Sequence, residues 1–142
     1  MIKAKLDIGK LQTGSHSKFD LKARILWAPK YRKRVLEGAV GERVREVLKE
    51  LSHTQSIRIL SGKVAPDYVS LVVSYPPKLA LSKAIQNLKG GSSRILLQEF
   101  PHLKQQFWGQ HFWARGYLAV SIGQIDGRSM AEYIDSVGAV ES

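Results

Sequence analysis

Tyr68 and Ser70 stand two residues apart in PDYVSLVVSYPP, Pro66 to Pro77. Side chains alternate between the faces of a strand. The spacing therefore sets Tyr68, Ser70 and Ser74 on one face and Val69, Leu71 and Val73 on the other. A tyrosine there either packs as a sheet-face aromatic or stacks on a base. Three other groups could do chemistry. The run KYRKRVL places Lys30, Arg32, Lys33 and Arg34 around Tyr31. It is either a solvated loop rim or a patch of phosphate contacts beside an aromatic. The run KGGSSR sets Lys89 and Arg94 around small residues, and reads as an anion cradle or as a helix joint. Tyr133 lies on a helical stripe with Met130, Ile134 and Val137, where packing alone would explain it.

Other site chemistries lack their signatures. None of His16, His53, His102 and His111 stands i, i+2 or i, i+4 from another, so no local histidine metal motif exists. There is no G-x-S-x-G elbow, and no Walker lysine follows GGSSR. The chain has no cysteine, which excludes disulfides and thiolate metal sites.

The 142 residues suit one domain with its own hydrophobic core, and 44% of them are apolar. Lys and Arg total 22 against 12 Asp and Glu, a net charge of +10. Such a balance points to a polyanion, nucleic acid before an anionic membrane surface. The opening residues show no apolar signal region, and no apolar run approaches the roughly 20 residues of a membrane span. A cytoplasmic location is the expectation.

These groups need a scaffold. Residues 1–17 are polar and aperiodic, which suggests a partly ordered arm. FDLKARILWA alternates, with Phe19, Leu21, Ala23, Ile25 and Trp27 opposite Asp20, Lys22 and Arg24, and predicts a strand that Pro29 ends. Val40, Val44, Val47, Leu48 and Leu51 make a helical stripe, with Glu42–Arg45 and Glu46–Lys49 on its outer face. SIRILSGKVAP predicts a second strand, and the Tyr68 segment a third. Leu81, Ala84, Ile85, Leu88, Ile95 and Leu96 predict a second helix. Gly90-Gly91 inside it costs about 1 kcal/mol per glycine, so the helix either breaks there or admits a close backbone neighbour. Phe112 to Ile122 reads as a fourth strand. A last helix begins at a capping box, Ser129 with Glu132. The order β-α-β-β-α-β plus a helix predicts an α+β, ferredoxin-like antiparallel sheet with its helices on one face. The other face is left for a ligand or another subunit.

Four ordered blocks carry a resemblance over about Phe19 to Val137: WAPKYRKRVL, PDYVSLVVSYPP, LKGGSSRILLQEFP with HLKQQFWG, and AEYIDSV. The chain resembles the single-tyrosine HUH-class transposases of small bacterial insertion sequences, including those associated with REP elements. The resemblance implies an RNA-recognition-like sheet with the tyrosine on a C-terminal helix. It implies homodimers acting on single-stranded hairpin DNA at element ends. In the family two histidines and a helix glutamine hold Mg²⁺ or Mn²⁺, and a tyrosine forms a 5′-phosphotyrosine.

Carried over, the nucleophile falls on Tyr133, the histidines on Tyr68 and Ser70, and the glutamine on Val137. The metal ligands are thus replaced, and the metal is not expected to bind. Serine is a weak neutral ligand, and a phenol would need a strongly lowered pKa. Asp67 and Asp135 are the carboxylates that could improvise a site. The DNA contacts expected are Lys30, Tyr31, Arg32, Lys33, Arg34, Lys89 and Arg94. Three functions follow: a transposase whose cleavage through Tyr133 is lost or impaired, a working one with relocated ligands, or a non-catalytic DNA-binding regulator.

Overall fold

The computed structural model describes residues 12–13, 18–19, 21–108, 111–122, 131 and 133–137. Residues 12–13 and 18–19 form a small antiparallel pair, β1 (Gln12–Thr13) and β2 (Lys18–Phe19). The rest of the arm expected over 1–17 lies outside the described residues. So do Met130 and the capping box of Ser129 and Glu132.

Apolar residues alternating with Lys22 and Arg24 make the central strand, β3 (Leu21–Trp27). Ala23, Ile25 and Trp27 are buried on the expected face. Leu26 is buried too, because the opposite face is also covered at this end. A short 3₁₀ turn, Lys30–Arg32, follows, with Tyr31 and Arg32 at φ 61° and 55° in the left-handed region. The predicted stripe forms α1 (Gly38–Thr54). Gly41 is required within it, since a Cβ there would lie 2.7 Å from the Leu36 carbonyl oxygen. On its outer face Glu46 pairs with Arg43 at 3.1 Å.

β4 (Arg58–Ala65) and β5 (Tyr68–Tyr75) then form a hairpin whose register shifts between Ile59 and Ser61. α2 (Leu81–Glu99) runs unbroken through Gly90-Gly91. The close neighbour is a side chain rather than a backbone: a Cβ on Gly91 would lie 2.9 Å from Leu51 Cδ1, whereas Gly90 faces open space. A short helix not predicted from periodicity, α3 (Pro101–Gln106), follows, with proline in its first turn.

The fourth strand, β6 (Leu118–Ser121), is shorter than expected. Residues 112–114 are instead a buried connection. Pro29 and Trp113 form an isolated bridge, the Lys30 amide donates to the Phe112 carbonyl, and the Ala114 amide donates to the Ala28 carbonyl. The aromatics explain the burial. Trp113 meets Trp27 and Phe112 edge-on at 5.8 and 4.7 Å between ring centroids. Residues 131 and 133–137 are helical.

The main sheet has the order β4-β5-β3-β6, all antiparallel, the ferredoxin-like arrangement predicted. α1 and α2 pack on one face over Ile25, Trp27, Val69, Leu71 and Val73. The other face is not wholly free. At one end Leu26, Ala28 and Ala114 pack with Ile134 and Val137 of the terminal helical segment. Among the described residues no helix is long and apolar enough to cross a membrane.

Candidate functional site

The face of the sheet opposite α1 and α2 carries the polar side of β5. Period-two alternation turns Tyr68, Ser70 and Ser74 there, and Val69, Leu71 and Val73 into the helix-side core. The terminal segment brings the remaining positions to the same end. Tyr68, Tyr133 and Leu118 pack against the cluster of Leu26, Ala28, Ala114, Ile134 and Val137. A Cβ on Gly116, whose φ is +80°, would lie 4.0 Å from Tyr133 Oη. Residues distant in sequence, Tyr68 and Tyr133, thus share one small site.

The polar groups around them are held by cations. Arg24 donates to Ser70 Oγ at 3.0 Å. Arg32 donates through Nε to Asp67 Oδ2 at 2.8 Å and through its terminal nitrogen to Asp135 Oδ1 at 3.2 Å. Lys63 Nζ sits 5.7 Å from the centroid of the Tyr68 ring. Val137 is buried in the apolar cluster and has no donor atom. Asp67 and Asp135 do converge, but on a guanidinium. Among the described residues no group of three His, Asp or Glu could hold a metal ion, and His53, His102 and His111 are exposed.

The predicted basic residues divide between two places. Lys30 and Lys33 lie 5.4 and 5.9 Å from the Tyr31 ring centroid, so the ring is flanked by charge. Lys33 also lies 4.9 Å from the Phe107 ring centroid and donates to the Gln106 carbonyl. Arg34 is exposed, 3.7 Å from Glu37. Lys89 and Arg94 are on α2. Lys89 donates to the carbonyls of Ala114 and Gly116 at 2.9 and 2.7 Å, and Arg94 is exposed. Amides 90–93 lie inside a continuous helix, so no loop cradle forms. Lys89, Gly90 and Ser93 instead line a cleft of about 280 Å³ with His111 and Arg115.

Sequence reasoning missed the cations of the sheet itself. Ser74 is directly opposite Lys22 on one neighbouring strand and Arg58 on the other, and Lys63 is opposite Ser70. Alternation in β3 is signal enough for Lys22 and Arg24. Arg58 and Lys63 have opposite parity, and only the register shift puts them on one face.

The chain and its fold are similar to known proteins. The Transposase IS200 like family profile matches residues 17–137. The chain is 28% identical to ISDra2 transposase TnpA of Deinococcus radiodurans, over 83% of this chain and 84% of that one. It is 32% identical to the transposase for insertion sequence element IS200 of Salmonella typhimurium, over 78% and 72% respectively. A crystal structure from Deinococcus radiodurans R1 superposes with a TM-score of 0.83 at 28% identity, covering 89% of this chain and 97% of that one. A REP-associated tyrosine transposase bound to a REP hairpin shares the fold, with a TM-score of 0.54 at 9% identity over 88% and 70%. The chain belongs to the IS200-like transposase family.

Proposed function

We propose that this chain binds single-stranded hairpin DNA at insertion-sequence ends, as a homodimer, and that strand cleavage through Tyr133 is lost or impaired. The observation that supports the reading is the surroundings of two residues at the expected ligand positions. Ser70 Oγ accepts from the Arg24 guanidinium, and Val137 is packed among apolar side chains. Such a set does not fit a divalent cation, which needs anionic or imidazole donors. Asp67 is already neutralised by Arg32 at 2.8 Å. Tyr133 would then have to attack without a metal to offset charge on the phosphate.

DNA binding is supported by the +10 net charge, and by the hairpin bound to the REP-associated relative of like fold. Lys30, Tyr31, Arg32, Lys33, Arg34, Lys89 and Arg94 are the proposed contacts. Arg34 and Arg94 reach solvent, while Arg32 and Lys89 also brace the site.

The test is a gel shift with the hairpin flanking the gene, with and without Mn²⁺, followed by a denaturing gel. A shifted complex with no covalent adduct is expected. An adduct that disappears in Tyr133→Phe would overturn the loss of cleavage. No shift at all would overturn DNA binding. A non-catalytic regulator derived from a transposase is the second reading, favoured by the same replaced ligands.

A further inference from the structure

The described strands of the main sheet carry four cations, Lys22, Arg24, Arg58 and Lys63, and no carboxylate. Register sends all four to the face away from α1 and α2. Lys22 and Arg58 lie opposite Ser74 from its two sides, Lys63 lies opposite Ser70, and Arg24 lies opposite Val72 and reaches Ser70. Two serine-centred cationic groups thus sit four residues apart on β5, about 13 Å along the strand. In each, the register sets a serine opposite residues whose nitrogens carry permanent or near-permanent charge. A guanidinium offers five N–H donors in a planar fork, and the bond to Ser70 uses one. Beside the first group the Tyr68 ring lies under Lys63, whose Nζ is 5.7 Å from the ring centroid.

We infer that this sheet face is a phosphodiester-binding surface that works by fixed charge, without a divalent ion. The Arg24–Ser70–Lys63 group takes one phosphate of a single-stranded DNA segment, and Lys22 with Arg58 around Ser74 takes another. Charge complementarity selects the occupant: a face with four cations and no strand carboxylate fits a polyanion. Spacing along one strand, with an aromatic at one end, fits an extended backbone with a base beside it. A divalent cation would enter a region that is already positive. The guanidinium occupies the place where the bound phosphate needs a counter-charge. The inference rests on the DNA-binding reading but makes a separate claim, which is where the strand lies and what neutralises it.

The experiment measures anisotropy of a fluorescein-labelled oligothymidine of about 20 nucleotides with the full chain, in EDTA and in Mg²⁺, over a salt series. Arg24→Gln, Lys63→Gln and the double variant are compared with Lys83→Gln, which removes an exposed cation from α2 on the other side of the sheet. Affinity in EDTA should match that in Mg²⁺ within about twofold. The double variant should weaken binding about tenfold and lower the slope of log K against log salt by about 0.7 for the lost phosphate contact. Lys83→Gln should leave both unchanged. Should Arg24→Gln fail to fold, the exposed Lys63→Gln still carries the slope measurement. Binding that collapses in EDTA overturns the inference. So does an unchanged slope in Lys63→Gln and the double variant while the wild-type chain binds, and the DNA-binding reading then survives. No binding by the wild-type chain overturns both.

Discussion

Arg32 and Asp67 meet at 2.8 Å at the end of the sheet, and the same guanidinium reaches Asp135 on the terminal helical segment at 3.2 Å. Arg32 belongs to a turn with left-handed backbone, Asp67 to the connection that precedes Tyr68, and Asp135 to the segment that carries Tyr133. One side chain therefore ties three separate parts of the candidate site together.

Arg32→Gln should destabilise the chain by about 1–3 kcal/mol, because Asp67 is left as a nearly buried charge with a weaker partner. Asp135→Asn should cost less than about 1 kcal/mol, since that carboxylate is 79% exposed. Urea unfolding of both variants checks the ranking. Hydrogen exchange over 133–137 should rise in each, and unchanged exchange would show that the link does not hold the segment.

The two adjacent glycines of α2 should respond unequally. Gly90→Ala enters open space and should stabilise by about 0.5–1 kcal/mol through helix propensity. Gly91→Ala would place a methyl 2.9 Å from Leu51 Cδ1, the end of a flexible side chain that must turn aside, so it should stabilise less than Gly90→Ala. Thermal unfolding of the two single variants decides the matter, and equal shifts would contradict the packing.

Glu99 is bonded by Arg43 at both carboxylate oxygens, 2.8 and 3.0 Å, which joins the C-terminal end of α2 to α1. The hydrogen bonds from Arg43 hold the Glu99 carboxyl below its ordinary value of 4.5. A group with a lowered folded pKa contributes stability that is present above its unfolded value and lost as pH falls through the folded one. The contribution should therefore be complete above about pH 4.5 and fade in more acidic solution. Glu99→Gln should flatten that part of the stability–pH curve, as followed by urea midpoints. An acid limb of the same steepness in the variant would assign the loss to other carboxylates.

Placing imidazoles at Tyr68 and Ser70 tests the proposed ligand positions directly. Tyr68→His with Ser70→His should bind Mn²⁺ weakly while Arg24 remains, and more tightly when Arg24→Ala removes the neighbouring charge. Calorimetric titration with Mn²⁺ measures the difference. Equal affinity with and without Arg24 would show that the guanidinium does not compete for that place.

Much of the fold was legible because periodicity reports burial. The stripe of Val40, Val44, Val47 and Leu48 and the alternation of Ala23, Ile25 and Trp27 each face the core as expected. Phe112 to Tyr117 misled for a physical reason. Their aromatic run has the composition of a strand, yet Phe112 and Trp113 serve as core packing against Phe107 and Trp27. The candidate site was legible as positions and not as contacts. The spacing of Tyr68 and Ser70 placed them on one face, while their partners Arg24 and Lys63 come from other strands.

The sequence by itself determined the basic charge, the order of the main strands and helices, and the absence of imidazole and carboxamide at Tyr68, Ser70 and Val137, where the resemblance leads one to expect ligands. These are matters of residue type and local period. Tertiary structure decided what surrounds those three residues. Arg24 meets Ser70 across 46 residues and Arg32 meets Asp135 across 103, which no local pattern encodes. It also decided that Arg58 joins Lys63 on one face. The register shift between Ile59 and Ser61 adds a residue to one strand of the pair, and parity along the chain cannot reveal it.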